Sequence, residues 1–380
     1  MERNEIFRIY GKNYKEMTKA LLEAAKLSLR INKGDRVGIK PNLVAPVPAE
    51  FGATTHPEVV EGIIEYLKEN GIEKITILEG SWVGDKTSDA YEYCGYRALC
   101  EKYDIPFIDA QKEKYHTVDC GGMDINICDA VDDIDFMINV PVIKGHGQTK
   151  ITCALKNMKG LIPNTEKRLF HKNGLHKPVG HLALGLKQDF IVIDHICGDL
   201  ELEDGGNPIE TNCVMVSLDP VLVDSYVCRL LGYETSDVEY IGVAEALGVG
   251  SSDLEGAVIK TLDLDSKEII SQHKASVEDD FEKFRDQSDR LMDIKIAVEE
   301  VDSCSACYGA LLPVLLRLKE EGKLEEIMKK LPNKIAIGQG YQGKKGSFGI
   351  GNCCRDFDLN VKGCPPSEEA IYQSLINLLG

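Results

Sequence analysis

Apolar residues cluster in short runs along this chain, and each run stops at a glycine, a proline or a small polar group. The longest informative run, residues 136–143, predicts a buried strand that breaks off near Pro141. Shorter runs predict strands at 6–10, 36–39, 74–78, 107–109, 124–128, 190–195 and 214–218. Helical periodicity lies between them, at 14–29, 58–70, 91–102, 221–231 and 238–247. Thr55-His56-Pro57-Glu58 reads as a helix start with proline in the first turn, and Asn70-Gly71 as its end. Strand, helix and strand joined by short glycine turns predict an α/β fold: a mostly parallel sheet with helices on both faces.

Past residue 250 the pattern changes. Residues 266–290 are polar and charged, which predicts a surface helix or an inter-domain connection. From Met292 a second, smaller α/β domain is expected, with strands at 295–299 and 334–338 and helices at 308–322, 324–330 and 367–379. The division expected is therefore 1–291 and 292–380, within the usual size of domains.

In parallel sheets, ligands bind at the carboxyl ends of strands. Three polar segments fall there: Lys40-Pro-Asn42, Glu79-Gly80-Ser81 and Lys144-Gly-His146. Charge sharpens this placement. The chain carries a formal net charge of −18, yet residues 140–177 hold eight Lys or Arg and one acid, Glu166. Clustered cations repel one another, so an anion is the expected partner, a phosphate or carboxylate. Candidate contacts are Lys40, Asn42, Lys150, Lys156, Lys159 and Arg168, lining a basic cleft. Lys156 and Lys159 are expected on one helix face, and a helix start near Thr149 would aim N–H groups at the anion. Lys144 and His146 are the candidate catalytic groups, the histidine as proton carrier. His171, His176 and His181 crowd the same region and can equally be surface residues, proton carriers or ligands of a second metal. For Asp219 and Asp224 a helix-start role is favoured over ligation.

The chain has thirteen cysteines. The amino-terminal residues have no apolar signal core, so a cytoplasmic setting is expected and the cysteines read as core residues or metal ligands. Cys304 and Cys307 form a C-x-x-C pair, and Cys353, Cys354 and Cys364 lie in loops of the same segment. Four thiolates suit a [4Fe–4S] cluster, and zinc would accept the same ligands. One of Cys353 and Cys354 is left over. The acidic balance argues against a nucleic-acid surface or an anionic membrane surface. No apolar run is long enough for a membrane helix. No Gly-x-Gly-x-x-Gly is read in a strand-to-helix context, so a dinucleotide cofactor is not expected.

Lys40-Pro-Asn42, Thr55-His56-Pro57, the Lys144 segment, the run Ala154-Leu-Lys-Asn-Met-Lys-Gly160 and Asp219-Pro220 resemble the domain-of-unknown-function family number 362, across about residues 36–250. Members are often fused to iron–sulfur modules and are common in anaerobes, which implies an architecture and a site rather than a reaction. The C-terminal pattern, C-x-x-C, Gly351-Asn-Cys353 and Gly363-Cys-Pro-Pro366, resembles the proximal-cluster domain of nickel–iron hydrogenase and complex I small subunits. That resemblance implies Cys304 or Cys307, Cys353 or Cys354, and Cys364 as cluster ligands. The expectation is an oxidoreductase or cluster-assisted enzyme with a small anionic substrate. The alternatives are an electron-transfer subunit docking a redox partner protein, and a zinc-stabilised binding protein.

Overall fold

The run at 37–41 pairs with the run at 136–140 at the centre of a nine-stranded sheet. The computed structural model describes residues 1–172, 174–200, 203, 205, 208–276, 294 and 296–380. The expected domain boundary at 292 lies outside these residues. Two compact units are found. The first holds Met1–Gly145, Thr149–Leu200 and the described residues of 205–276; the second holds His146–Gln148, Glu203 and the described residues of 294–380.

The strands up to residue 274 are β1 (Glu5–Tyr10), β2 (Val37–Pro41), β3 (Ile75–Glu79), β4 (Phe107–Asp109), β5 (Tyr115–Asp119), β6 (Asp124–Cys128), β7 (Phe136–Val140), β8 (Lys144–His146), β9 (Lys150–Thr152), β10 (Phe190–Gly198), β11 (Ile209–Ser217), β12 (Val258–Leu262) and β13 (Ile269–Lys274). The sheet order is β13-β12-β1-β11-β10-β7-β2-β3-β4. From β10 to β4 every pairing is parallel. Strand β11 runs antiparallel to both neighbours, and β13 antiparallel to β12. The 124–128 strand joins a separate hairpin with β5 instead of the main sheet. Strand β13 replaces the surface helix or linker expected at 266–290, as far as that stretch is described.

Helices α1 (Tyr14–Ala24) and α2 (Pro57–Glu69) pack together against the sheet. Their approach is close: a Cβ on Gly62 would stand 2.6 Å from the Lys15 carbonyl oxygen. Leu21, Leu22, Val60, Ile63 and Ile64 share a core with Val37, Ile39, Phe136, Ile138 and Val140. Alternate positions of a strand face opposite sides. Lys40 and Asn139, cross-strand partners, therefore point away from that core, and the Asn139 amide donates to the Ala154 carbonyl of the helix on the other face. The helix expected at 91–102 is two, α3 (Thr87–Tyr93) and α4 (Tyr96–Tyr103), because Gly95 turns left-handed between them at φ 80°. Next come α5 (Ala154–Asn157), α6 (Asn164–Lys172), α7 (His176–Gly185), α8 (Pro220–Leu230) and α9 (Glu239–Ala246).

The second unit has a parallel sheet in the order β14 (Val298–Glu300), β15 (Ile335–Ile337), β16 (Phe348–Ile350), β17 (Leu359–Val361). Its helices are α10 (Ser305–Glu320), α11 (Leu324–Lys330) and α12 (Glu368–Ile376), the last capped by the Ser367 hydroxyl. Leu311, Leu315, Leu318, Ile327, Ile335, Phe348, Ile350 and Ile371 form its core.

Candidate functional site

Strands β3 and β4 extend the sheet on one side of β2, and the chain then crosses to add β7 on the other. The crevice outside the carboxyl ends at such a reversal is where open α/β sheets place ligands. Lys40 and Asn42 sit at that end of β2, Glu79 ends β3, and Lys144 follows β7. The three polar segments picked from the sequence are joined here. Lys40 Nζ donates to the Glu79 carboxylate, to the Pro41 carbonyl at 2.7 Å and to Asn157 Oδ1 at 3.3 Å. Lys144 Nζ donates to the Ala53 carbonyl at 2.7 Å and to Asn42 Oδ1 at 3.3 Å. Both lysines are 0% exposed.

Asn157 lies at the hub. Its Oδ1 accepts from Lys40 Nζ and from Asn42 Nδ2 at 2.9 Å. Its Nδ2 donates to Asn139 Oδ1 at 2.7 Å and to the Lys40 carbonyl at 3.3 Å. All four hydrogen-bonding positions of the amide are thereby used. Gly160 gives the pair its room, since a Cβ there would stand 2.5 Å from Lys40 Cε.

Lys167, from α6, reaches the same place and donates at 2.8 Å to the carbonyls of both Gly80 and Ser81. Burial pushes its ammonium down to about 8; Glu79 opposes the shift and Lys40 reinforces it. Burial likewise lowers Lys40, against the pull of Glu79. Two buried amines thus gather around one carboxylate, and Lys167 has a proton affinity suited to exchange near neutral pH.

The remaining expected contacts are dispersed. Lys156 is buried with its Nζ on Thr152 Oγ1 at 3.1 Å, and Lys159 Nζ meets His171 Nε2 at 3.5 Å. They do not share a helix face, because α5 ends at Asn157 and Lys159 lies in a 3-10 turn. Lys150 is not at a helix start but begins β9, at φ 63°, paired with Asp237 at 3.5 Å. The helix begins at Ala154, and its N-terminus is filled by the Asp224 carboxylate, which accepts from Ala154 N at 2.7 Å and Leu155 N at 3.2 Å. Burial pushes Asp224 up to about 7. Asp219 caps α8. Arg168 is exposed. His146 groups with the second unit and Lys144 with the first. The His146 ring accepts from Gln148 N at Nδ1, 3.0 Å, which leaves Nε2 as the donor to Glu203 at 2.9 Å.

A second buried pair was only half visible in the sequence. His56 Nδ1 meets the fully buried Asp194 at 2.9 Å, and the same carboxylate accepts from His56 N at 2.7 Å. Burial works against the imidazolium, but Asp194 outweighs it and the histidine is raised. Asn157, Asn139 and Lys167 were missed as site residues, whereas Asp224 serves a helix start, though that of α5 and not of its own helix. The Ala-Leu-Lys-Asn run held the only available signal, and its lysines drew attention from the asparagine.

In the second unit the cysteine-bearing loops follow β14, β16 and β17, so they leave the parallel sheet at the same end. Cys304 precedes α10 and Cys307 sits in its first turn. The two thiols share a hydrogen bond; with burial and the nearby Cys364 and Cys353 thiols, it pushes Cys307 up. Burial, Cys304 and Cys353 raise Cys364. Cys354 turns elsewhere: it is buried with its Sγ 3.5 Å from the Ala336 carbonyl. Among the described residues, no group of three or more His, Cys, Asp or Glu is arranged as a closed metal-binding set. Cys304, Cys307, Cys353 and Cys364 are soft thiol donors carried at one end of the sheet, a donor type that an iron–sulfur cluster or zinc takes. The other eight cysteines are all buried. Among the described residues, no helix is long and apolar enough to cross a membrane.

A thylakoid-associated protein of Synechocystis sp. is 24% identical over 234 residues, which cover 59% of this chain and 72% of that protein. Among solved structures, the lactate racemase apoprotein from Thermoanaerobacterium thermosaccharolyticum matches with a TM-score of 0.37 and 14% identity, over 64% of this chain and 57% of that one. A Thermotoga maritima protein matches with a TM-score of 0.31 and 14% identity, over 77% and 62%. The chain spans less than two thirds of either solved protein. The model of the domain of unknown function DUF362 matches residues 37–229, which include β2, β3, β7, α5 and the whole Lys40–Asn157 network. The chain belongs to the DUF362 family.

Proposed function

We propose that the chain is an iron–sulfur protein, an oxidoreductase or cluster-assisted enzyme acting on a small anion. Cys304, Cys307, Cys353 and Cys364 would hold a [4Fe–4S] cluster. The observation that supports this reading is that the three loops carrying these cysteines follow β14, β16 and β17 and so leave the parallel sheet at one end. When bound, the cluster would supply one-electron transfer. Burial of Cys354, with its Sγ on the Ala336 carbonyl, favours Cys353 as the fourth ligand.

The anion would meet the less buried cations Lys159 and Arg168, since Lys159 reaches His171 on the same α6 that carries Arg168, whereas Lys150 pairs with Asp237. Lys40, Asn42, Lys144 and Lys156 are engaged internally; Lys144 and Lys156 would supply a fixed positive field behind the site, while Lys40 is balanced by Glu79. Lys167 would hold or release a proton there. The eight-to-one excess of basic over acidic residues across 140–177 supports this half of the reading.

Single Cys→Ser variants test the cluster half, each purified without oxygen and assayed for iron. Loss of iron is expected at Cys304, Cys307, Cys353 and Cys364, and retention at Cys354. Loss at Cys354 with retention at Cys353 would overturn the ligand set. For the anion half, calorimetric binding of inorganic phosphate and of acetate should weaken about tenfold in the double variant Lys159→Ala/Arg168→Ala, with iron content unchanged. Absence of binding to the native chain would remove the anion and leave an electron carrier.

A further inference from the structure

Ser303 is 0% exposed, and its hydroxyl has no hydrogen-bond partner among the described residues. It immediately precedes Cys304. Its position is fixed tightly. Ser303 N donates to Glu300 Oε1 at 2.7 Å, and Val301 N donates to the Ile337 carbonyl at 3.0 Å. Gly338, at φ 124°, lets the chain pass so close that a Cβ would stand 2.8 Å from Ser303 N. A buried hydroxyl without a partner costs free energy, and such groups usually have one that the bare polypeptide does not contain. Elsewhere in the cysteine set, Gln342 Nε2 donates to Cys353 Sγ at 3.6 Å.

We infer that Ser303 and Gln342 are hydrogen-bond donors to the sulfurs of the C-terminal site and raise the reduction potential of the group it holds. This rests on the cluster reading above. Donors to thiolate or sulfide draw electron density from the iron, so the more negative, reduced state is favoured. One electron enters and no bond to carbon forms or breaks. Ser303, buried and next in the chain to Cys304, would donate to a sulfur of the bound group, and Gln342, in an exposed contact, donates to Cys353.

The test uses the full chain purified without oxygen and titrated with dithionite against viologen mediators, the visible spectrum reporting the midpoint potential. Ser303→Ala should lower the potential with iron and sulfide content unchanged, and Ser303→Thr should restore it. Gln342→Ala should lower it by less, because water replaces an exposed donor. An unchanged potential in Ser303→Ala, with the cluster retained, would overturn the inference and leave the cluster reading standing. A native chain without iron would overturn both. If Ser303→Ala does not fold, resonance Raman of the native protein decides: iron–sulfur stretches that move in deuterium oxide are expected, and stretches that do not move contradict the donors.

Discussion

Asn157 satisfies four groups at once, two of them on Lys40. Replacing it by leucine would leave the Lys40 carbonyl, Asn42 Nδ2 and Asn139 Oδ1 each short of a partner. Each unsatisfied buried group costs about 1–3 kcal/mol. Asn157→Leu is therefore expected to lower stability by at least about 3 kcal/mol in urea unfolding, with an effect below about 1 kcal/mol refuting the hub. Lys40 and Glu79 are both almost wholly buried. Lys40→Met should cost about 3–5 kcal/mol, the range for stranding one member of a buried pair. Adding Glu79→Gln should recover part of that loss. A double variant as unstable as the sum of the singles would show that the two side chains act independently.

Helix α5 is too short to hold itself and depends on a carboxylate from α8, where Asp224 accepts its first two N–H groups. The raised proton affinity of Asp224 gives this contact a pH dependence. The folded group, at about 7, holds a proton that the unfolded one, near 3.9, has already lost. Between those values the native state binds more protons, so this group's contribution to stability falls as pH rises from about 4 to 7. Asp224→Asn should flatten the stability profile across that window; an unchanged slope would contradict the assignment. Most strand runs of the first unit, its mostly parallel sheet and the meeting of the Lys40, Glu79 and Lys144 segments were legible, because strand ends and their polar termini follow local patterns; β12 and β13 were not. The helix start at Ala154 was not. It is set by a carboxylate seventy residues away, and neighbouring Thr149 and Lys150 looked like a better beginning. Lys156 and Lys159 misled for a related reason, since α5 gives way to a 3-10 turn between them.

Across the whole chain, the family match over residues 37–229 lies mostly in the first unit, and the five cysteines from Cys304 to Cys364 belong to the second. The C-x-x-C pair and the later cysteines stood out in sequence through spacing alone. The choice between Cys353 and Cys354 did not, because adjacent residues differ only in which way the turn after β16 directs them. Cys354 goes into the core beside Ala336. Cys354→Ala should accordingly lower stability by about 1–2 kcal/mol, as small deletions of buried side chains do, while iron content stays at the native level. The central claim is the cluster itself. Its most direct test is iron and acid-labile sulfide per chain in protein purified without oxygen, with the visible spectrum recorded before and after dithionite. About four of each per chain, bleaching on reduction, is the predicted result. One zinc per chain and no sulfide, or no metal at all, would contradict it.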